Sequence, residues 1–421
     1  MISRYISNST RVSGSIFRFY CSVNSTSKVL TDYSKLIPKD GNVTSLILDK
    51  VGKNLHSMEG HPINIIKKKI QYHFKNNLSN ENTQFKFFDE FHPRVTVEKN
   101  FNDLLFPNDH IGRSPNDTYY FSQNELLRTH TSAHQTDLMR SQETAFLVTG
   151  DVYRRDTIDA VHYPVFHQME GVKIFPQTPD SVFSKSIDYY TNQDYKDLDS
   201  VKLVENDLKK SLESMIKAVI GQDLQIRWID AYFPFTSPSW EMEILFQDQW
   251  LEVLGCGVVH PEIMKNCQLE KHRGWAFGLG LERLAMILFN IPDIRLFWTE
   301  DKRFHQQFQQ VKYLPNGDID LKQIKFQPFS KYPSCFKDIS FWLGKDFHEN
   351  TFMEFVRQIC GDLVEKVELV DHFENKKTSK SSSCYRIHYR SMERSLTNQE
   401  IDLIQQTLRD QIENKVDCKL R

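Results

Sequence analysis

Between Ile226 and Val259 the chain leaves no room for a helix. Ile226, Trp228, Met242, Ile244 and Phe246 alternate with Arg227, Glu241, Glu243 and Gln247, and a third run, Trp250 to Val259, follows almost at once. A period of two marks strands with one buried face. Parallel neighbours need a crossover of a dozen or more residues, so runs joined this tightly predict a mainly antiparallel sheet. The flanks supply its cover. Ile63, Ile66, Ile70 and Phe74 behind Pro62 predict a helix over 61–76, with Lys67, Lys68 and Lys69 facing water. Val201, Val204, Leu208, Leu212, Met215 and Val219 predict a second over 201–220, stopped by Gly221, and Pro292 closes a third over 280–290. Strand-like pieces at 145–148, 165–169 and 172–175 lie in a dense polar block, whereas 85–125 is irregular.

Around Pro315-Asn316-Gly317 the pattern loosens, and Pro328 and Pro333 bracket a junction. Beyond it come a strand (336–342), a helix (Phe352, Phe355, Val356, Ile359), strands at 364–370 and 385–389, a helix (401–408) and a strand (416–420). That order is the ferredoxin-like βαββαβ arrangement. The expected class is α+β. A main domain spans 32–300, a linker 301–327, and a ferredoxin-like domain 328–421.

The first 31 residues differ from the rest. They hold eight Ser and four basic residues with no acid before Asp32, and no continuous apolar stretch of the kind a secretory signal needs. Ser-rich, Arg-rich and acid-poor is the composition of a mitochondrial transit peptide, so residues 1–31 are expected to direct the chain to the matrix. Seven Cys, an odd number with no CxxC, argue against a disulfide framework and fit a reducing compartment. No run approaches the ~18 apolar residues of a membrane span, and no membrane partner is expected. The 53 basic and 55 acidic residues nearly cancel, so a polyanionic partner would have to be met by a local patch.

Two blocks carry recognisable chemistry. Gly150-Asp151-Val152-Tyr153-Arg154-Arg155-Asp156, followed by Phe166-His167-Gln168-Met169-Glu170, places arginines at one strand end and polar groups on the next. A planar, permanently charged guanidinium on a strand suits bidentate grip of phosphate. Gly274-Trp275-Ala276-Phe277-Gly278-Leu279-Gly280-Leu281-Glu282-Arg283 then lets backbone approach a ligand and opens a helix carrying Arg283. The GxGxxG of a dinucleotide fold is absent.

Together these blocks resemble the second and third signature motifs of class II aminoacyl-tRNA synthetases. Thr129-His130-Thr131-Ser132-Ala133-His134, the Gln168/Glu170 pair and Phe233-Pro234-Phe235 are similar to the phenylalanyl-tRNA synthetases, and the leader and C-terminal unit to their single-chain mitochondrial form. The resemblance covers residues 55–421 and implies activation of phenylalanine by ATP with Mg²⁺, transfer to the terminal ribose of tRNA(Phe) through its 2′-OH, and a monomer. It implies Arg154 and Arg283 as catalytic phosphate contacts, Phe166 stacking on adenine, His162 at the pyrophosphate, and Asp156 and Gly278 in the ATP site. Family patterns often have Glu at Asp156. His130, Ser132, Ala133, His134, Gln168 and Glu170 would surround the amino-acid ammonium and carboxylate. Phe233 and Phe235 would sandwich the substrate ring, Ala276 would set the pocket depth with Phe277 beside it, and Glu252 would touch metal or substrate. The residues themselves agree: a zwitterion needs a carboxylate and donors, an apolar side chain needs rings and small residues, and the attacking carboxylate, already ionised, needs no general base.

Asp109-His110-Ile111-Gly112-Arg113 and Lys377-Thr378-Ser379-Lys380-Ser381 look like class I signatures but lack the context of that fold. Cys256, His260, Cys267 and His272 lack regular zinc spacing. In the last domain, Lys376, Lys377, Lys380, Arg386, Arg390 and Arg394 stand against a single acid, Glu393, with Tyr385, His388 and Tyr389 interleaved. Basic groups beside stacking faces suit single-stranded RNA loops, and these six lysines and arginines are the expected tRNA contacts. The rivals are an adenylate-forming relative that charges no tRNA and an inactive RNA-binding regulator.

Overall fold

The computed structural model describes residues 41–175, 199–309, 311–321, 324–328, 332–375 and 380–421. The expected leader (1–31) and the expected tRNA contacts Lys376 and Lys377 lie outside them.

The main sheet has seven strands: β1 (Lys86–Phe88), β2 (Ala145–Tyr153), β3 (Val165–Phe175), β4 (Ile226–Phe233), β5 (Thr236–Phe246), β6 (Gln249–Val259) and β7 (Arg273–Gly280). Their order is β1-β2-β3-β7-β6-β5-β4. Only the short edge pair β1–β2 is parallel, and every other pair is antiparallel, as the tight connections require of β4, β5 and β6. The two pieces expected at 165–169 and 172–175 are one strand, because Gly171 adds no side chain where the Phe277 ring crosses.

Helices α1 (Pro62–His73), α2 (Asp199–Ile220) and α3 (Leu281–Phe289) cover one face of this sheet. The stripes that predicted α1 and α2 are buried there. Lys67 and Lys69 do not face water. They are buried and paired with Asp89 (2.8 Å) and Asp318 (2.7 Å), acids that arrive from elsewhere in the chain. The stretch expected as a linker, 301–327, is packed: Phe304, Phe308, Ile319 and Phe326 belong to the main core.

The C-terminal unit forms β8 (Cys335–Leu343), α4 (Glu349–Cys360), β9 (Val364–Asn375), β10 (Lys380–Tyr389), α5 (Asn398–Lys415) and β11 (Cys418–Leu420), with sheet order β9-β10-β8-β11. This is the expected βαββαβ order. Its core holds Phe341, Phe352, Val356, Ile387, Tyr389 and Leu408, and also Ile158 from the loop after β2. Buried hydrogen bonds join the two domains: Tyr119 Oη donates to Glu354 at 2.6 Å, and Arg295 Nη1 donates to the carbonyls of Asp362 (2.9 Å) and Val364 (3.1 Å).

Candidate active site

Strand alternation decides which side chains meet a ligand. On β3, Met169 points into the helix-covered core, whereas Phe166, Gln168 and Glu170 point to the opposite face. On the neighbouring β7, Trp275, Phe277 and Leu279 face the helices, and Ala276 and Gly278 face the same way as Glu170. Two adjoining cavities lie on that face, one of about 560 Å³ and one of about 320 Å³. Arg154, Asp156, Gln168, Glu252 and Gly278 border both.

The larger cavity combines an apolar wall with unpaired polar groups. Phe233 and Phe235 lie nearly parallel with ring centroids 5.8 Å apart, Phe106 lies 5.8 Å from Phe235, and Phe106 stacks on His130 at 5.5 Å. Ala276 borders the same space. Both carboxylate oxygens of Glu170 are buried without a hydrogen-bond partner, and desolvation pushes its pKa up to about 8. Ser132 approaches and favours the ionised form without completing a hydrogen bond. Both ring nitrogens of His130 are likewise buried without a completed hydrogen bond, and burial, reinforced by Arg154 and opposed by the Asn100 backbone, pulls its pKa down to about 3. The site therefore offers a neutral imidazole and a carboxyl that ionises readily only if a cation joins it.

The smaller cavity brings two arginines and His162 together with the carboxylates of Asp156, Glu252 and Glu282. The Arg154 guanidinium lies 5.2 Å from the Phe166 ring centroid, with Nε donating to the Thr129 carbonyl at 2.8 Å. Burial lowers its pKa, while Asp156 and Glu252 favour its charge. Arg283 Nη1 donates to the Glu252 carbonyl at 2.9 Å, and its guanidinium is half-exposed toward the cavity. His162 Nδ1 pairs with Asp159 at 2.8 Å, and that hydrogen bond raises its pKa. Among the described residues no cluster of three or more His, Cys, Asp or Glu could hold a metal by itself. Glu241 has its pKa raised by desolvation and then by Glu252 and Glu243, so three carboxylates gather there even though Arg283 lies 3.8 Å from Glu252 and Arg227 pairs with Glu243. That suits a hard divalent ion completed by substrate phosphates, which needs only one or two protein carboxylates.

Several expected residues stand elsewhere. Ala133 packs in a separate small core with Val95, Phe101 and Leu126. His134 lies behind the wall, bonded to Arg128 Nη1 at 2.9 Å and stacked on Phe91 at 4.5 Å. The Phe277 ring stacks on Phe74, just past α1, at 5.6 Å, so alternation leaves only its backbone for the cavity. Phe233 and Phe235 cannot sandwich a third ring. Two van der Waals gaps need about 7 Å between centroids, so the pair forms one continuous wall. The zinc-like set is dispersed, with Cys256 and Cys267 in different cores.

In the last domain the basic residues are neutralised by acids from other elements. Arg386 is held by Asp338 at 2.8 Å, Arg390 by Glu365 at 3.1 Å and Arg394 by Glu400 at 2.9 Å, and Lys380 is exposed. The single acid counted along the chain is not the acid balance of the fold.

Other lining residues were not expected. His110, Ile111 and Gly112, set aside as a chance class I signature, line the larger cavity. Tyr232, 80% exposed, also borders it; its place directly before Phe233 was the available clue. Asn350 of α4 reaches it from the second domain and donates to Asp117 Oδ1 at 3.1 Å, a contact with no signal in the local sequence.

Residues 52–179 and 178–308 match the family of class II tRNA synthetase core domains (F), and 330–421 match the ferredoxin-fold anticodon binding domain. The chain is 65% identical to a protein of Dictyostelium discoideum named mitochondrial phenylalanine–tRNA ligase, over 96% of this chain and 94% of that one. It is 50% identical to the chloroplastic/mitochondrial phenylalanine–tRNA ligase of Arabidopsis thaliana, covering 90% and 82%. It is 46% identical to the mitochondrial phenylalanine–tRNA ligase of Mus musculus, covering 91% and 86%.

Proposed function

The chain belongs to the phenylalanine–tRNA ligase family of class II aminoacyl-tRNA synthetases, and from that premise we propose that its larger cavity binds phenylalanine and its smaller one ATP. The protein activates phenylalanine with ATP and charges tRNA(Phe) in the mitochondrial matrix, as a single chain that carries both a catalytic and an anticodon-binding domain.

Glu170 carries the substrate assignment. A carboxyl buried beside an aromatic wall with no partner of its own matches the ammonium of an apolar amino acid. Gln168 and Ser132 supply polar contacts around it, and His130 a neutral ring. Phe233, Phe235 and Ala276 take the substrate side chain. Where the cavities meet, Arg154 faces the α-phosphate. A carboxylate oxygen of phenylalanine forms a bond to that phosphorus as the bond to the pyrophosphate oxygen breaks. Arg154 and Arg283 neutralise the charge that develops, and the ionised nucleophile needs no base. Phe166 offers the ring face on which adenine stacks. His162 and Arg283 face the departing pyrophosphate, with Asp156 beside them. Glu252 and Glu241 would hold Mg²⁺, which supplies charge neutralisation to the phosphates. In the second step a terminal ribose hydroxyl of the tRNA attacks the adenylate carbonyl and AMP departs. Lys380, Arg386, Arg390 and Arg394 would contact the tRNA, with Lys376 and Lys377 beside them in sequence.

Pyrophosphate exchange with a panel of twenty amino acids tests this assignment. Phenylalanine should dominate, and Glu170→Ala should abolish the exchange while ATP binding persists. Undiminished exchange in that variant would remove Glu170 from the site.

A further inference from the structure

His167 sits between Phe166 and Gln168 on β3, and alternation turns its ring to the other face of the sheet. There it is fully buried and meets Glu282, in the first turn of α3. The Glu282 carboxylate accepts from the His167 main-chain N–H through both oxygens, at 2.9 and 2.8 Å, and from ring Nδ1 at 2.7 Å. The other ring nitrogen, Nε2, is buried without a partner, so Glu282 is the ring's hydrogen-bond anchor. Trp298 stacks over the imidazole at 5.8 Å and His56 lies at 5.4 Å, fixing its plane.

This one buried carboxylate therefore ties together two elements that bear candidate substrate contacts. On β3 it grips the residue whose two neighbours face the cavities. On α3 it belongs to the residue immediately before Arg283. While the grip holds, the two elements move only together, and Phe166 keeps its place relative to Arg283. We propose that Glu282 and His167 are positioning residues that set the spacing between Phe166 and Arg283, and through it the affinity for ATP. The proposal rests on the assignment of the smaller cavity to ATP.

Steady-state pyrophosphate exchange on the full-length enzyme separates the two ideas. Phe166→Ala and Arg283→Ala test the ATP assignment itself and should each raise the KM for ATP. Glu282→Gln, which keeps size but loses charge and one acceptor, should raise the KM for ATP on the order of tenfold and leave the KM for phenylalanine within about twofold. His167→Ala should do the same, and His167→Asn, which returns a donor near the place of Nδ1, should recover most of the loss. Combined with His167→Ala, Glu282→Gln should add little, since both remove one interaction. The positioning role falls if the first pair raises the KM for ATP while Glu282→Gln and His167→Ala do not. It also falls if both KM values and kcat change together, if the asparagine gives no rescue, or if the two losses are additive. If His167→Ala does not fold, Glu282→Gln and His167→Asn still decide the outcome. An unchanged KM for ATP in Phe166→Ala and Arg283→Ala would instead overturn the ATP assignment.

Discussion

Gly278 stands directly opposite Glu170 in the register of β7 and β3, so the buried carboxyl faces a position that has no side chain and open space beside it. Burial raises the Glu170 pKa from 4.5 to about 8, and the folded, unliganded protein holds the proton at neutral pH. Unfolding exposes the group and releases that proton. The contribution of Glu170 to stability is therefore complete below about 4.5 and lost as pH rises to about 8. A substrate ammonium reverses the preference. Phenylalanine binding should expel close to one proton per site at pH 7, and its affinity should climb up to roughly tenfold per unit until about pH 8. Calorimetry in buffers of different ionisation heat measures the release. Glu170→Gln should eliminate it, and a proton release that survives the substitution would place the titration elsewhere.

Ala276 borders the larger cavity as a nearly buried side chain. Removing its methyl deepens the space at the apolar end without touching the polar groups. Ala276→Gly should raise kcat/KM for para-chlorophenylalanine on the order of tenfold, at a stability cost of about 0.5–1 kcal/mol. Unchanged kcat/KM would mean that the methyl does not limit ring length.

The Phe233 ring reaches its place only because residue 255 is glycine. A Cβ there would meet the ring at 2.7 Å, inside any real contact distance. Gly255→Ala should push the aromatic wall into the cavity and raise the KM for phenylalanine about tenfold, with the KM for ATP nearly unchanged. Equal effects on both substrates in pyrophosphate exchange would indicate a wider distortion of β6.

How far the sequence reveals this site depends on whether the signal is local. Gln168 and Glu170 are two apart on one strand, so alternation alone aims them together, and the same rule separates Ala276 from Phe277. The sheet was legible for the same reason, since the spacing of Ile226, Trp228, Met242 and Ile244 is a property of one segment. Lys67 and Lys69 were misread because Asp89 and Asp318 come from other segments and neutralise them inside the protein. Arg386 misled in the same way, since Asp338 lies on a neighbouring strand. Asn350 could not be found at all, because its place depends on how two domains dock.

Beneath the site, Arg128 pairs with Asp151 at 2.7 Å, both nearly inaccessible to water, and its guanidinium passes so close to Gly150 that no Cβ would fit. Arg128→Met should destabilise the main domain by about 3–5 kcal/mol, because Asp151 would be left as a buried, unpaired charge. Adding Asp151→Leu should restore much of that loss. Urea unfolding followed by tryptophan fluorescence checks both, and an unshifted midpoint for the single variant would show that the pair contributes nothing.

On the second domain Arg386 lies 4.3 Å from the ring centroid of Phe336, which is 53% exposed although it sits on the first strand of that unit. Asp338 holds the guanidinium in place, and His388 borders the ring at 5.9 Å. A fixed cation beside a half-exposed aromatic ring suits an unstacked base of a single-stranded loop, and such stacking is worth about 1–3 kcal/mol per base. Replacing Phe336 and Arg386 together with Ala should therefore raise the KM for tRNA on the order of tenfold or more. Amino-acid activation, measured by pyrophosphate exchange without tRNA, should stay at its original rate. If exchange falls along with aminoacylation, the pair supports the catalytic domain and the base-stacking role is lost.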